Sequence, residues 1–315
     1  MDLRDESGES GVASNSLVRS KMYPDSDDPG PGEDGADLTY DRVEYRYNRQ
    51  AELIEQTDQN GTVHGYDYDG LGRLVADRVT TLGTGVDGAV QRITRSYDRA
   101  GRLSGVGSWS AATGGTAVND VALAYNGFGQ LTSDYQSHSA AVNTGTTPKV
   151  GYTYADGSNR NIRRLSSVYP SGRSIALYYG ALASDDDALG RVNEIRDASD
   201  ANKALARYTR RGLSATMRIE YPNAGTVNPL EMTYIKQAGE PDGDAGDQYT
   251  GQDRFNRNID IRWLRGGTTT HVDRIQYGFD RASNRLWRKN VVAATNWDEL
   301  YSYDGLYQLP ESVGP

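Results

Sequence analysis

Tyr66-Asp67-Tyr68-Asp69-Gly70-Leu71-Gly72-Arg73-Leu74 holds a strand, its turn and the beginning of the return strand. Tyrosines at alternate positions, Tyr66 and Tyr68, put two rings on one face of a strand. The Asp that follows can accept hydrogen bonds from backbone N–H groups two residues on and so start a turn. Glycine then supplies a positive φ. The arginine near the end can cover a ring face or reach the Asp of a neighbouring unit, and Leu74 returns the chain to the buried side. Each position has an architectural task, and equivalent rings on adjacent strands are expected to stack as a ladder.

The wording recurs. It returns as Tyr97-Asp98-Arg99-Ala100-Gly101-Arg102-Leu103 and as Tyr125-Asn126-Gly127-Phe128-Gly129-Gln130-Leu131. Near the end come Phe279-Asp280-Arg281-Ala282-Ser283-Asn284-Arg285-Leu286 and Tyr303-Asp304-Gly305-Leu306-Tyr307-Gln308-Leu309, and a worn copy opens the series at Tyr47-Asn48-Arg49-Gln50-Ala51-Glu52-Leu53. From Tyr47 the Tyr-to-Tyr spacings are 21, 29, 28 and 29 residues, so added length is expected in hairpin tips. A phrase repeated in this way marks a repeat architecture whose units bury their faces against their neighbours. Between phrases, runs such as Arg73-Leu74-Val75-Ala76-Asp77-Arg78-Val79 alternate with period two and predict half-buried strands. The middle is degenerate: Tyr152-Thr153-Tyr154 keeps the aromatic alternation, Tyr178-Tyr179 followed by Leu189-Gly190-Arg191-Val192 keeps the other half of the phrase, and Asp185-Asp186-Asp187 falls in an insertion between those halves. Asp253-Arg254-Phe255-Asn256-Arg257 revives the pattern, and the nearest approach to a helical period, over 198–211, is short and polar.

Composition agrees. Hydrophobic residues are 36% of the 315, a low share, and Tyr supplies much of it, 22 against 3 Phe and 4 Trp. With 36 Gly and 10 Pro, the expectation is a thin, much-turned β structure rather than a thick core. Residues 1–37 carry ten acids and three bases, which is most of the net charge of −9, and read as a disordered acidic leader or linker. Residues 38–315 form the repeat region. Nearly neutral, it has no basic excess for a phosphate backbone, so nucleic acid is not an expected partner. With no cysteine, disulfides and thiolate chemistry are excluded. No run approaches the ~20 apolar residues of a membrane helix.

Tyr-Asp-x-x-Gly-Arg-Leu together with Tyr-x-Tyr-Asp resembles the YD repeat of the RHS (rearrangement hot spot) family. The resemblance covers roughly residues 40–309 and is weak between 195 and 248. It implies an all-β fold, an antiparallel strip of β-hairpins curling into part of a spiral shell. It also implies a structural role: members are large bacterial proteins, often secreted or attached to the surface, teneurins in animals are similar, and in toxin complexes the shell encloses a C-terminal toxic domain. The expected partners are therefore other RHS segments or a toxin cargo domain, and the expected localisation is secreted or at the cell surface. The core-associated segment and self-cleavage site of such proteins have no counterpart here, since the one Asp-Pro, Asp28-Pro29, lies in the leader. The chain is thus expected to be a fragment or truncated relative that keeps the shell repeats.

No catalytic, cofactor or metal residue is assigned, and no enzymatic activity is expected. Gly83-Thr84-Gly85-Val86-Asp87-Gly88 matches a dinucleotide fingerprint, but β-like sequence follows it, so it reads as a hairpin tip. His64, His138 and His271 lack metal-ligand spacing. Asp242-Gly243-Asp244-Ala245-Gly246-Asp247 lacks the closing Glu of a calcium loop and reads as a solvated loop. Exposed Tyr and Trp (Trp109, Trp263, Trp287, Trp297) offer the alternative of a carbohydrate-binding or adhesion module, with glycans as partners; the competing expectation is that these rings fill the sheet.

Overall fold

The computed structural model describes residues 16–23, 42–158, 161–224, 229–243, 246–293, 298–309 and 311–313. It is all-β and antiparallel, and among the described residues the one α-helix is a single turn, α1 (Asp185–Ala188). The chain divides into two compact units, residues 1–151 and 152–315.

The first unit holds β1 (Ser20–Met22), β2 (Arg42–Tyr47), β3 (Leu53–Thr57), β4 (Val63–Tyr68), β5 (Leu74–Thr81), β6 (Arg92–Tyr97), β7 (Leu103–Trp109), β8 (Ala117–Tyr125) and β9 (Leu131–His138). It closes with the first residues of β10 (Lys149–Tyr154), which pair with β9 through Lys149, Val150 and Gly151. Each strand pairs with the next in sequence, so the sheet is a meander. Phrase turns lie on one edge (48–52, 69–73, 98–102, 126–130); the loops of varying length lie on the other. Gly83-Thr84-Gly85-Val86-Asp87-Gly88 is such a loop, joining the paired strands β5 and β6. In this unit inserted residues therefore do accumulate in hairpin tips, at the edge the phrases do not occupy.

The second unit continues the pattern with β11 (Arg164–Val168), β12 (Ser174–Tyr178), β13 (Glu194–Asp197), β14 (Lys203–Arg211), β15 (Ala215–Tyr221), β16 (Leu230–Thr233), β17 (Asp260–Arg265), β18 (His271–Phe279), β19 (Arg285–Asn290), β20 (Glu299–Ser302) and β21 (Glu311–Val313), again paired in sequence order. The polar stretch 198–211 ends in β14, not in a helix.

Ser20–Met22 of the acidic leader forms β1 and pairs with β2. The rest of the leader, residues 1–15 and 24–37, lies outside the described residues, as do Asp28-Pro29 and Trp297. Ser-Lys-Met has no alternating pattern, so only its partner strand reveals it.

Burial is shallow. Most strand residues are half-exposed on both faces, as along all of β4. Among the described residues the buried apolar side chains are small or few: Ala76, Ala117, Tyr135, Ala206, Leu264 and the fully enclosed Met217. Packing of this kind cannot by itself set the register, because neither face is strongly buried. Specific side-chain bonds must do so.

Candidate functional surface

Those bonds come from the phrase. In 69–73, the Asp69 N–H donates to the Arg73 carbonyl at 3.0 Å and the Gly72 N–H to the Asp69 carbonyl at 2.9 Å, with Gly72 at φ 74. This is a three-residue hairpin loop closed by a left-handed residue. Asp69 Oδ1 accepts from the Leu71 and Arg73 N–H groups at 2.9 and 3.1 Å, and Oδ2 accepts from Arg73 Nε at 2.8 Å. The Arg73 side-chain bond, with the two backbone N–H groups, holds the Asp69 carboxyl below the usual carboxylate range against burial. Asp98 and Arg102 repeat the clasp, at 2.7 Å between Arg102 Nε and Asp98 Oδ2, and Asp253 and Arg257 repeat it at 2.6 Å. In 126–130 the same clasp is neutral: Asn126 Oδ1 takes both N–H groups and Asn126 Nδ2 donates to Gln130 Oε1 at 2.8 Å. The reach to a neighbouring unit's Asp, which the sequence allows, occurs at Arg173, whose Nε donates to Asp197 Oδ2 at 2.8 Å, whereas in these turns the arginine binds the Asp of its own turn. Four residues separate the two groups, and the turn folds that separation into contact.

The guanidinium has a second contact. Arg73 lies over the Tyr97 ring at 4.3 Å from the centroid and Arg102 over the Tyr125 ring at 4.4 Å. In the second unit Arg163 covers Tyr179 at 4.5 Å and Arg257 covers Phe279 at 4.9 Å. The expected ring-on-ring ladder is therefore a ring–guanidinium ladder at these phrases. Direct ring pairs occur elsewhere, as between Tyr221 and Trp263 at 6.3 Å.

Each tyrosine hydroxyl closes the unit behind it. Tyr68 donates to the Leu53 carbonyl at 2.8 Å, Tyr97 to Leu74 at 3.0 Å and Tyr125 to Leu103 at 2.8 Å. The acceptor is in each case the Leu that ends the preceding phrase. Strand register slips by one residue just before Tyr47, Tyr68, Tyr97, Tyr125 and Phe279. A bulge re-aims the side chain it carries, and at Tyr68, Tyr97 and Tyr125 it accompanies the back-reaching hydroxyl; Phe279 keeps the bulge without one.

The geometry corrects two alignments. In 280–284, Asn284 occupies the arginine's place, bonding Asp280 through its N–H and Nδ2, both at 2.8 Å. Arg285 then stands in the leucine's place, and its carbonyl accepts from Tyr303 at 3.0 Å. In the degenerate middle, α1 supplies the carboxylate: Arg191 Nε lies 2.8 Å from Asp186, with Gly190 at φ 63. Asp187, on the same helix turn, pairs with Arg163 at 2.6 Å. A further turn that sequence reading missed is 58–62, where Asp58 accepts from Asn60 and Thr62. Its signal was Asp-x-x-Gly, and Thr62 in the arginine's place concealed it.

The other candidates are spread over the sheet. His64 bonds Asp77 across strands at 2.8 Å, His138 bonds Asn119 at 2.7 Å, and His271 begins β18. Asp242 pairs with Lys236, and Asp247 Oδ1 accepts from the Tyr249 N–H. Trp109 Nε1 donates to Thr94 at 2.9 Å under Arg92, and Trp263 packs on Tyr221. Trp287 lies across Gly278, where a Cβ would collide with the indole, and is 37% exposed.

No family model and no curated protein matches the chain. Among solved structures, it is similar to the crystal structure of TcdB2-TccC3-TEV, at 15% identity over 88% of this chain, with a TM-score of 0.49. It is also similar to a Tc holotoxin pore from Photorhabdus luminescens, at 16% identity over 86% of this chain, with a TM-score of 0.43. The chain spans 13% of the length of the first and 14% of the second. Among the described residues no helix is long and apolar enough to cross a membrane.

Proposed function

We propose that this chain is a non-enzymatic structural segment, a stretch of RHS-type β wall. The observation that carries the reading is the double use of the phrase arginine, clasped to its own Asp and laid on the next unit's ring. That arrangement commits the phrase's carboxylates and guanidiniums to one another, and its hydroxyls to backbone carbonyls of the preceding unit, which suits a wall and leaves few of these groups free for chemistry. By the same reading such a wall belongs to a longer secreted or surface protein and surrounds a passenger domain, and the partners are further repeat segments.

A second reading rests on Trp287. Trp109 and Trp263 spend ring faces on Arg92 and Tyr221, whereas Trp287 keeps an outward face, with Lys289 two residues on along the same side of the strand. An open indole beside a cation is the chemistry of a sugar-stacking platform. A glycan array with the native chain and Trp287→Ala separates the two. The wall reading expects no saturable sugar binding; saturable binding that disappears in Trp287→Ala overturns it in favour of a lectin-like role.

A further inference from the structure

In the second unit the connections β12–β13, β14–β15, β16–β17, β18–β19 and β20–β21 all leave the sheet on one edge, because the strands pair antiparallel in sequence order. Successive turns on an edge lie two strands apart, about 10 Å. Each carries one side chain at its tip: Leu182, Leu213, Phe255, Ala282 and Leu306. The four large ones, Leu182, Leu213, Phe255 and Leu306, are 76%, 77%, 63% and 77% exposed. In the loops of the opposite edge the most exposed large apolar side chain among the described residues is Tyr169, at 44%.

The turns themselves do not ask for these side chains. The Phe255 N–H donates to Asp253 Oδ1 at 2.9 Å and the Leu306 N–H to Asp304 Oδ1 at 2.8 Å, so the backbone of the tip residue serves the clasp and its side chain does not. Scattered apolar side chains on a surface need no explanation, whereas an aligned row with a polar rim marks an interaction site.

Three of the tips are tied together. The Ala183 N–H donates to Asp187 Oδ2 at 2.9 Å and anchors the Leu182 turn to α1. Arg191, paired with Asp186 of α1, donates from Nη1 to the Leu213 carbonyl at 2.8 Å. Arg211 Nη2 donates to Asn256 Oδ1 at 2.6 Å and joins the Leu213 turn to the Phe255 turn. A row fixed in this way meets a partner with little ordering cost.

Charge sets the partner and the register. Asp185, near Leu182, and Arg254, next to Phe255, are both exposed, and neither forms an ion pair among the described residues. Leu213 lies between the two turns. A two-fold axis through Leu213 sets Leu213 against the Leu213 of a second copy, Leu182 against its Phe255, and Asp185 opposite its Arg254, each pair occurring twice. An axis through Phe255 or Ala282 would set Arg254 or Arg281 against itself. Arg211, the cation nearest the axis, is bound to its own chain at Asn256 and lies 3.8 Å from Asp247.

We propose that this edge pairs with the same edge of a second copy of the chain, two-fold about Leu213, with Leu182, Phe255, Asp185 and Arg254 as the matched set. Three tips offer roughly 400 Å² of apolar surface a side, about half of a standard interface, so the dimer is weak and forms at micromolar concentrations. The wall reading stands with or without this contact.

Sedimentation velocity of the full chain from about 1 to about 200 μM tests it. The native chain should pass from monomer to dimer across that range. Leu213→Asp, at an exposed tip, should weaken association by about tenfold or more. Asp185→Arg and Arg254→Asp should each weaken it by about tenfold, and the double variant should recover native affinity, because the two-fold restores both ion pairs with their signs exchanged. A monomer at every concentration overturns the proposal. So does a dimer indifferent to Leu213→Asp, or a double variant no tighter than the two single ones.

Discussion

The Tyr97 hydroxyl donates to the carbonyl of Leu74, 23 residues earlier, at 3.0 Å, while Arg73, next to that Leu, covers the Tyr97 ring. One tyrosine therefore meets the preceding phrase through both its tip and its face. Tyr97→Phe keeps the ring and leaves the Leu74 carbonyl without this donor. The expected loss is about 1 kcal/mol, read as a lower urea midpoint at unchanged slope. Arg73→Ala, which removes the ring cover and the turn clasp together, should lower the midpoint further.

The clasp exists in charged and neutral forms, and that permits a cycle. Asp98→Asn alone leaves Arg102 without its carboxylate, and Arg102→Gln alone leaves Asp98 without its guanidinium. The double variant rebuilds the arrangement seen between Asn126 and Gln130. Thermal unfolding should place the double variant above the sum of the two single losses; strict additivity would mean that the two side chains act independently.

The left-handed turn position is Gly in the full phrases and another residue in the worn ones. Gly101 is at φ 81, and its nearest non-local neighbour to an added Cβ is Arg73 Nη1 at 3.4 Å, so Gly101→Ala is strained by backbone rather than by crowding. It should cost about 1–2 kcal/mol. Ser283 is at φ 69 in the equivalent place, and Ser283→Gly should raise stability by up to about 1 kcal/mol. Chemical denaturation of both variants checks the opposite signs.

Stability should fall in two stages on acidification. Burial, then the charges of Arg274 and Arg262, hold His271 below its ordinary pKa of 6.5, against the opposing pull of Asp260 and Glu240. A histidine depressed in the folded state stabilises it above 6.5, and that contribution is lost as pH falls from 6.5 through the folded value. The second stage comes from carboxylates. Burial opposes ionisation of Asp260, but Arg274 and Arg262 outweigh it and keep the group below 3.8. Asp69, Asp98, Asp253 and Asp280 are lowered as well. Their contribution is present above the ordinary range and disappears as pH drops through the lowered values. Glu231, raised by burial, runs the other way. His271→Gln should remove the first stage and leave the second, as measured by unfolding midpoints from pH 7 to 3.

Strand order and turns were legible in the residues because each phrase encodes its own hairpin: Asp69 bonds Leu71 and Arg73, and Gly72 closes the loop, all within a few positions. The all-β, antiparallel class followed. What eluded the reading depends on partners distant in sequence. β1 is visible only through β2, and the α1 carboxylates only through Arg163 and Arg191. Both Asp partners open to the arginine are used: Arg73, Arg102 and Arg257 take the Asp of their own turn, whereas Arg173, whose turn opens on Tyr169, reaches Asp197 of the neighbouring one. The ring cover by Arg73 was one of the two roles foreseen.

Since Arg102 is clasped to Asp98 and covers Tyr125, excising one repeat disturbs two units, its own and the one ahead, and then the disturbance ends. The interaction range is a single neighbour. A strip built on that rule can lengthen or shorten by whole repeats, each junction restoring the same contact, and a lesion in one phrase is confined to a short interval of the sheet.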